Sequence, residues 1–321
     1  MISVLAGEAL ERVTQFGPQD FANMAWALAV LAVLHSPLMA AISAEAELSQ
    51  FRTQHLANTA WAVAILQVSD LPFISAISAR ALDLVSEFGP QDLTTTAWAF
   101  AALAFRHEPL LQAISREAWR QLPMFNSQGL ANISWAYATL QFMDAPLLSA
   151  IAESTAASVQ AFLPQELANT IWAFASLESM DVPVIMCISS AMSRRSTEFD
   201  CRGLANTLWS FAVLRIRPGP QLAIVAKLRE ASAQDLSNTA WAYAALSIKD
   251  ETLFVAIAKE FFQKRGQFVP QNVANTAWAI ATISIKNKPL LAAIAVTSME
   301  KVKEFVAREI ANTLWAFATV A

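Results

Sequence analysis

One block of sequence recurs from end to end of the chain, and its spacing constrains the fold more than any other feature. In its clearest copy, residues 165–173, the block reads Gln-Glu-Leu-Ala-Asn-Thr-Ile-Trp-Ala. The tryptophan that marks each copy occurs at Trp26, Trp61, Trp98, Trp135, Trp172, Trp209, Trp241, Trp278 and Trp315. Successive marks lie 35, 37, 37, 37, 37, 32, 37 and 37 residues apart. A fixed period of this length is typical of a solenoid, in which each unit packs on its neighbours.

Each period holds the pattern of two helices. The first carries the block and often begins at a Pro-Gln pair such as Pro18-Gln19, because proline suits the first helical position. The second begins at another proline in most periods, and a residue that can cap a helix precedes it. These capping candidates are Asp70, Asp144, Asp181, Asn287, Asp250 (in a period that lacks the proline) and, in place of an acid, His35 and His107.

We therefore predict an all-α fold, an α-solenoid of about nine helix-turn-helix repeats that forms a curved superhelix. Residues 1–321 are predicted to be a single array with incomplete units at both ends. The helices that carry the block are apolar nearly all round, so we expect them to be buried. The interval from Trp209 to Trp241 spans 32 residues instead of 37 and contains Pro218-Gly219-Pro220. It predicts a shortened second helix and a local change of curvature.

No stretch has the pattern of a membrane span or of a targeting segment. The longest apolar run, residues 24–34, is roughly half as long as a helix that crosses a bilayer. Residues 1–8 lack a basic residue, so we expect neither a secretory signal nor a transit peptide there. Cys187 and Cys201 lie at non-equivalent positions of neighbouring periods, which predicts two core-filling thiols rather than a disulfide or a metal pair.

Charge is distributed unevenly along the chain. The net charge of −4 combines an acidic part, residues 1–193, with a basic part, residues 194–321. The acidic part has 6 Lys/Arg against 16 Asp/Glu, and the basic part has 16 Lys/Arg against 10 Asp/Glu. Asymmetry of this kind can mark one end of a protein for a polyanion and the other end for something else.

The sequence contains no pattern that predicts catalysis. The three histidines, His35, His55 and His107, are scattered. We find no Gly-rich phosphate loop, no Cys/His metal spacing and no Ser-His-Asp set. We therefore expect a protein that is not an enzyme and that has no cofactor, no metal and no small-molecule substrate.

The pattern Leu-Ala-Asn-Thr-x-Trp-Ala-x-Ala, in helical pairs with proline at the turns, resembles the octotricopeptide repeat. It also resembles the related repeats found beside RAP domains in organellar proteins of algae and protists. The resemblance covers nearly the whole chain. It implies an RNA-binding protein of the mitochondrion or plastid that acts in transcript maturation, stability or translation, or as a ribosomal component.

A column of asparagines precedes the tryptophans by three residues, with Thr95 in one copy. A ladder of amides along a stack suits contacts to RNA bases or to an extended peptide backbone. The alternative is structural, because a buried amide needs a partner such as a loop carbonyl of the adjacent unit. The column consists of Asn23, Asn58, Asn132, Asn169, Asn206, Asn238, Asn275 and Asn312.

The tryptophan column has two interpretations as well. Exposed tryptophans stack on bases, but an aromatic residue at a fixed helical position in every repeat predicts core packing. We expect core packing here, and we expect the aromatic residue two positions later, such as Phe174, to fill the same space. Trp119 has no counterpart in other repeats and lies between Arg116 and Arg120, so it is the better candidate for an exposed contact.

Two columns of basic residues lie mostly in the basic part. A stripe of Lys/Arg along a solenoid edge binds successive phosphates, whereas cations at helix C-termini also stabilise the helix dipole in any helical protein. The column at the turn between helices is Arg106, Arg215, Arg217, Lys249, Lys286 and Lys288. The column near the end of the second helix is Arg120, Arg194, Arg195, Lys264, Arg265, Lys301 and Lys303.

Together these patterns predict a non-catalytic helical-repeat protein that binds single-stranded RNA along the basic part, because unpaired bases are available to side chains. The setting that the resemblance implies is organellar RNA metabolism or an organellar ribonucleoprotein. The alternative is a scaffold that binds a peptide or a neighbouring subunit through the acidic part and the uncapped ends. No membrane partner is expected.

Overall fold

The computed structural model describes residues 1–217, 224–285 and 287–320, and every regular element within these ranges is helical. The predicted all-α architecture of repeated helix pairs is confirmed. Contacts between backbone segments group the chain into two compact units, Met1–Ser158 and Val159–Ala321. The boundary between them lies before the switch in charge at residue 194.

In the first unit, helices that carry the repeated block alternate with helices that do not. We call the former signature helices and the latter second helices. The signature helices are α2 (Pro18–Val30), α4 (Thr53–Ile65), α6 (Pro90–Ala102) and α8 (Ser127–Thr139). The second helices are α1 (Ile2–Glu11), α3 (Ser36–Glu45), α5 (Leu71–Leu84), α7 (Glu108–Arg120) and α9 (Ala145–Ser158).

The second unit repeats this alternation with one irregularity. Its signature helices are α10 (Pro164–Ser176), α12 (Cys201–Val213), α13 (Ala233–Ala245), α15 (Pro270–Thr282) and α17 (Ala307–Val320). Its second helices are α11 (Val182–Arg194), α14 (Glu251–Lys264) and α16 (Lys288–Lys301). Between α12 and α13 the described residues form only a 3-10 helix of 6 residues, Val225–Glu230. Pro218-Gly219-Pro220 lies outside the described residues.

Within each unit, consecutive signature helices pack closely against one another, whereas consecutive second helices approach each other less. The alanines of the block permit the close packing, since a small side chain lets helix axes approach. None of the described helices is both long and apolar enough to cross a membrane.

The aromatic residue two positions after the tryptophan fills the interior, as predicted. In the six copies that have one, the first five are buried, and the side chains of Tyr137, Phe174 and Phe211 have no exposed surface. Phe317 in the last copy is partly exposed. The Tyr137 hydroxyl donates to the carbonyl oxygen of Leu111 at 2.8 Å and accepts from Ser115 at 3.0 Å. Burial raises the pKa of Tyr137, so this hydroxyl stays protonated.

The second helices begin with the side-chain caps that the sequence predicts. The carboxylates of Asp70, Asp144, Asp181 and Asp250 each accept a hydrogen bond from the backbone amide three residues later. The side chain of Asn287 and the Nδ1 atoms of His35 and His107 do the same. The two histidines are therefore structural caps.

Each signature helix except the last ends in a turn that contains a left-handed residue. After α6, the Ala104 amide donates to the carbonyl of Ala101 at 3.0 Å, and the Phe105 amide donates to that of Phe100 at 2.9 Å. Glycine is usual at this position, because a Cβ raises the energy of the left-handed conformation. Here, with φ between 51° and 56°, it is instead Ala32, Gln67, Ala104, Gln141, Glu178, Arg215, Ser247 or Ser284.

We expect Ala104→Gly to raise the free energy of unfolding by about 0.5–1 kcal/mol, because glycine removes the left-handed strain but adds entropy to the unfolded chain. Urea denaturation followed by circular dichroism measures the change. Ala104→Val is the opposing control and should destabilise, since a β-branched side chain suits this conformation still less. A glycine variant that unfolds at lower urea than the parent would show that the turn carries no such strain.

A second feature, found in six of the repeats within the described residues, is a side chain that ties the end of a second helix, or of the 3-10 helix that replaces it, to the segment ahead of the preceding signature helix. Arg195 donates to the carbonyl of Phe162 at 2.8 Å and pairs with Glu198 at 2.9 Å. The equivalent donors reach carbonyl groups 28 to 35 residues earlier. These donors are Arg80, Gln121, Arg195, Lys227, Lys264 and Lys301.

We expect Arg195→Met to lower the free energy of unfolding by about 1–2 kcal/mol, because it removes a charge-assisted hydrogen bond and leaves the Phe162 carbonyl without that donor. Arg194→Met is the matched control. Arg194 is exposed on the same helix end and bonds only to Ser190 among the described residues, so its loss should change stability by less than about 0.5 kcal/mol. Equal effects of the two variants in urea denaturation would contradict a tie at Arg195.

The two cysteines do not form a disulfide. Cys201 is buried, with 4% of its surface exposed. Burial and the nearby Asp235 raise the pKa of the Cys201 thiol to about 12, which suits a core-filling role. Cys187 is only partly buried.

Candidate nucleic-acid interface

The open side of the signature helices carries three columns of side chains that share one helix face. Counting from the tryptophan, they lie at positions −7, −3 and 0, a spacing of four and three residues that lines up on an α-helix. Position −7 is exposed in every copy. It is Gln19, Gln54, Gln91, Gln128, Gln165, Arg202, Gln234, Gln271 or Arg308.

The expectation that the tryptophans form the core is wrong. Trp26 and Trp315 are each 47% exposed, and the other seven tryptophans of the column are partly exposed. The reason is that a signature helix packs on its two signature neighbours and on a second helix, which leaves its fourth side uncovered. Tryptophan lies on that side, and the aromatic residue two positions later turns inward. Trp119, on α7, is 60% exposed as expected.

Neighbouring tryptophans stack on one another along this face. In the first unit, the rings of Trp98 and Trp135 have centroids 6.3 Å apart and planes inclined at 27°. In the second unit, Trp241 and Trp278 have centroids 6.2 Å apart and planes inclined at 29°. The face therefore offers paired, partly exposed indole rings, which is the type of surface on which nucleic-acid bases stack.

Two arginines lie beside the second of these pairs. Arg215 and Arg217 line an open cavity of about 640 Å³ together with Trp241 and Trp278. Both arginines are exposed, and neither forms an ion pair with another residue that the structure describes. Exposed guanidinium groups beside aromatic rings bind phosphate and stack on bases.

The first unit lacks this combination. Residues Gln67 and Ser69 occupy the turn that corresponds to Arg215 and Arg217 for the pair Trp98–Trp135. Arg106, in the turn after α6, already has partners. It pairs with Glu108 at 2.8 Å and donates to two backbone carbonyls in the turn after α8, the closer at 3.3 Å. The strongest candidate site is therefore in the second unit.

The other members of the turn column are placed as follows. Lys249 is exposed in the turn after α13, and Lys288 is exposed as the first residue of α16. Lys286 lies outside the described residues. The turn column thus provides four exposed cations in the described part of the second unit, Arg215, Arg217, Lys249 and Lys288.

The column near the end of the second helix has mainly structural contacts. Arg195, Lys264 and Lys301 form the ties between repeats described above. Arg120 pairs with Glu117 at 2.6 Å, and Arg194 donates to Ser190 at 2.9 Å. The remaining two, Arg265 and Lys303, are exposed and make no polar side-chain contact within the described ranges.

The asparagine column is open rather than packed against loop carbonyls. Asn23 is exposed and the other seven are partly exposed. Across residues 1–217, 224–285 and 287–320, no side-chain amide of this column has a hydrogen-bond partner. The structural interpretation required such a partner, so the amides remain available to a ligand.

Side chains at positions −7 and −3 of adjacent signature helices, most of them amides, line a cavity in each unit. In the first unit, a cavity of about 460 Å³ is lined by Gln91, Thr95, Gln128 and Asn132. In the second, a cavity of the same volume is lined by Arg202, Gln234, Asn238, Gln271 and Asn275. Sequence reasoning missed the glutamines, although their fixed distance of four residues from the asparagines places both on one face.

No cluster of three or more His, Cys, Asp or Glu side chains suited to a metal ion occurs in the part of the chain that the structure describes. The candidate interface therefore consists of aromatic, amide and cationic groups. These groups bind and orient a ligand through stacking, hydrogen bonds and charge.

The sequence profile of the family described as RNA-editing substrate-binding complex 6 protein matches residues 1–182 and 187–321. The prediction of a helical-repeat family connected with RNA processing is thus confirmed at that level, while the matched family is not the octotricopeptide family. No curated protein is similar enough to count as a relative of this chain.

Proposed function

The chain belongs to the RNA-editing substrate-binding complex 6 protein family, and from that premise we propose that it is a non-catalytic protein that binds single-stranded RNA. It acts in RNA metabolism as one component of a larger assembly, in keeping with the family's name. An organellar setting is what the octotricopeptide-like pattern of the repeats implies for this proposal.

One observation carries this proposal: the stacked pair Trp241–Trp278 shares an open cavity with Arg215 and Arg217. Indole rings stack on bases of any sequence, and arginine binds the phosphates that connect them. A double-stranded ligand suits the site less well, because its bases are already stacked on each other.

A scaffold role is a second candidate, and exposed apolar side chains on the second helices favour it. Trp119 is 60% exposed, Met186 54%, Phe262 47% and Met299 69%. Aromatic residues and methionine are enriched in protein interfaces. RNA on the signature helices and proteins on the second helices are compatible, because the two sets of side chains lie on different helices.

The test is the affinity of the full chain for single-stranded RNA across a salt series. We expect the logarithm of the affinity to fall linearly with the logarithm of salt concentration. In the double variant Arg215→Ala/Arg217→Ala the slope should decrease by roughly 0.7 for each arginine that contacts a phosphate. The matched control is Arg265→Ala/Lys303→Ala, which removes the same charge from exposed positions near second helices.

Two results would contradict the proposal. One is an absence of RNA binding by the parent protein at low salt. The other is an equal loss of slope in both double variants, because that result would mean that net charge alone determines binding.

A further inference from the structure

The amide-lined cavities at positions −7 and −3 have a different lining from the tryptophan–arginine cavity, and the stacking and phosphate contacts of the proposed function do not use them. We propose that they receive base edges of a single-stranded RNA tract in which one nucleotide is repeated. This inference rests on the proposed function and adds a sequence preference to it.

The order of chemical groups along a signature helix matches the order of groups in a nucleotide. In the second unit, a basic turn follows the C-terminal end of the signature helix. From this turn toward the N-terminus of the helix come the tryptophan, the asparagine about 4.5 Å further along the axis, and position −7 about 10.5 Å from the tryptophan. A nucleotide presents a phosphate, a sugar, the face of a base and finally its edge. With phosphates at the turns and bases against the indoles, the base edges point toward the amides.

Amide side chains suit base edges because each carries a donor and an acceptor side by side. In single-stranded RNA these edges are unpaired and accept such paired hydrogen bonds. The cavity in the second unit brings together Gln234 and Asn238 of α13 with Gln271 and Asn275 of α15. The asparagine amides there have no intramolecular partner within the described ranges, so a ligand does not have to displace one.

The uniformity of the column determines the kind of sequence that is preferred. Seven of nine copies have Gln at position −7, and eight of nine have Asn at position −3. Identical side chains in identical geometry favour the same base in each repeat. A protein that recognises a mixed base sequence needs a different pair of side chains at positions −7 and −3 in each repeat. Thr95 and Arg202 are the departures within the two cavities.

The test compares the affinities of the full chain for short homopolymers of A, U and C and for a mixed-sequence RNA of equal length, at one salt concentration. We expect one homopolymer to bind at least roughly fivefold more tightly than the mixed RNA. In Asn238→Ala/Asn275→Ala this preference should disappear while salt-dependent binding remains. Gln263→Ala, which removes an exposed amide from α14, is the matched control and should keep the preference.

The outcomes separate this inference from the proposed function. Binding of all four RNAs with equal affinity would overturn the inference and leave RNA binding intact. Absence of binding to any RNA would overturn both. A preference that survives in the asparagine variant would assign base recognition elsewhere and would leave the amides as a surface for an extended peptide backbone. Asn238→Ser/Asn275→Ser, which keeps a polar group, is the substitute if the alanine variant does not fold.

Discussion

Phe211→Ala is expected to lower the free energy of unfolding by about 3–5 kcal/mol. The ring of Phe211 is fully buried within α12, whose neighbouring signature helices in the same unit are α10 and α13. Its removal loses the transfer free energy of the ring and leaves a cavity between layers that rigid helices cannot close. Unfolding by urea, followed by circular dichroism, gives the change from the shift in midpoint.

Phe262→Ala is the matched control, because it makes the same chemical change in the same unit. Phe262 lies on α14 and is 47% exposed, so its loss should cost less than about 1 kcal/mol. A loss at Phe211 no larger than that at Phe262 would contradict the inward orientation of this column. If the alanine variant does not accumulate, Phe211→Leu, which removes less of the side chain, is expressed at reduced temperature and compared instead.

Removal of both stacked tryptophans, Trp241→Ala/Trp278→Ala, is expected to weaken RNA binding by about 1–3 kcal/mol for each base that stacks there. For a single base this corresponds to roughly a 5- to 150-fold loss of affinity. The expectation follows from the partial exposure of both rings and from the arginines in the same cavity. Fluorescence anisotropy of labelled single-stranded RNA measures it.

Two comparisons make this result specific. Trp241→Phe/Trp278→Phe keeps two aromatic rings and should retain most of the affinity, which distinguishes stacking from a general loss of structure. Trp119→Ala removes a more exposed tryptophan, but from a second helix, and should leave RNA affinity within about twofold. If Trp119→Ala weakened binding as much as the double variant, the RNA site would have to include α7.

Much of the fold follows from the sequence because its information is local and repeated. The spacing of the tryptophans gives the number of repeats, and proline with a preceding Asp, Asn or His gives the start of each second helix. Both depend on short-range backbone chemistry. The buried ring at Phe174 and its equivalents follows from the same regularity.

The orientation of the tryptophans does not follow from the sequence, and neither do the left-handed turns after the signature helices. A helix that is apolar nearly all round does not reveal from its own sequence which side lacks a neighbour, so the sequence wrongly predicts a core position for Trp172 and its equivalents. The left-handed turns carry residues such as Ala104 and Glu178 instead of glycine, so the usual compositional sign is missing. The ties made by Arg195 and Lys264 depend on carbonyl groups more than thirty residues away.

The left-handed turns have a consequence for variation among the repeats. All eight of these residues are exposed, so their side chains project from the rim of the signature helices without entering the packing. A glycine would relax the backbone there but would present nothing to a ligand. These eight positions can therefore carry different side chains without any change in packing, and each side chain is exposed to solvent. Arg215 shows that one substitution at this position adds a cation beside the aromatic face, and Glu178 shows that another adds an anion.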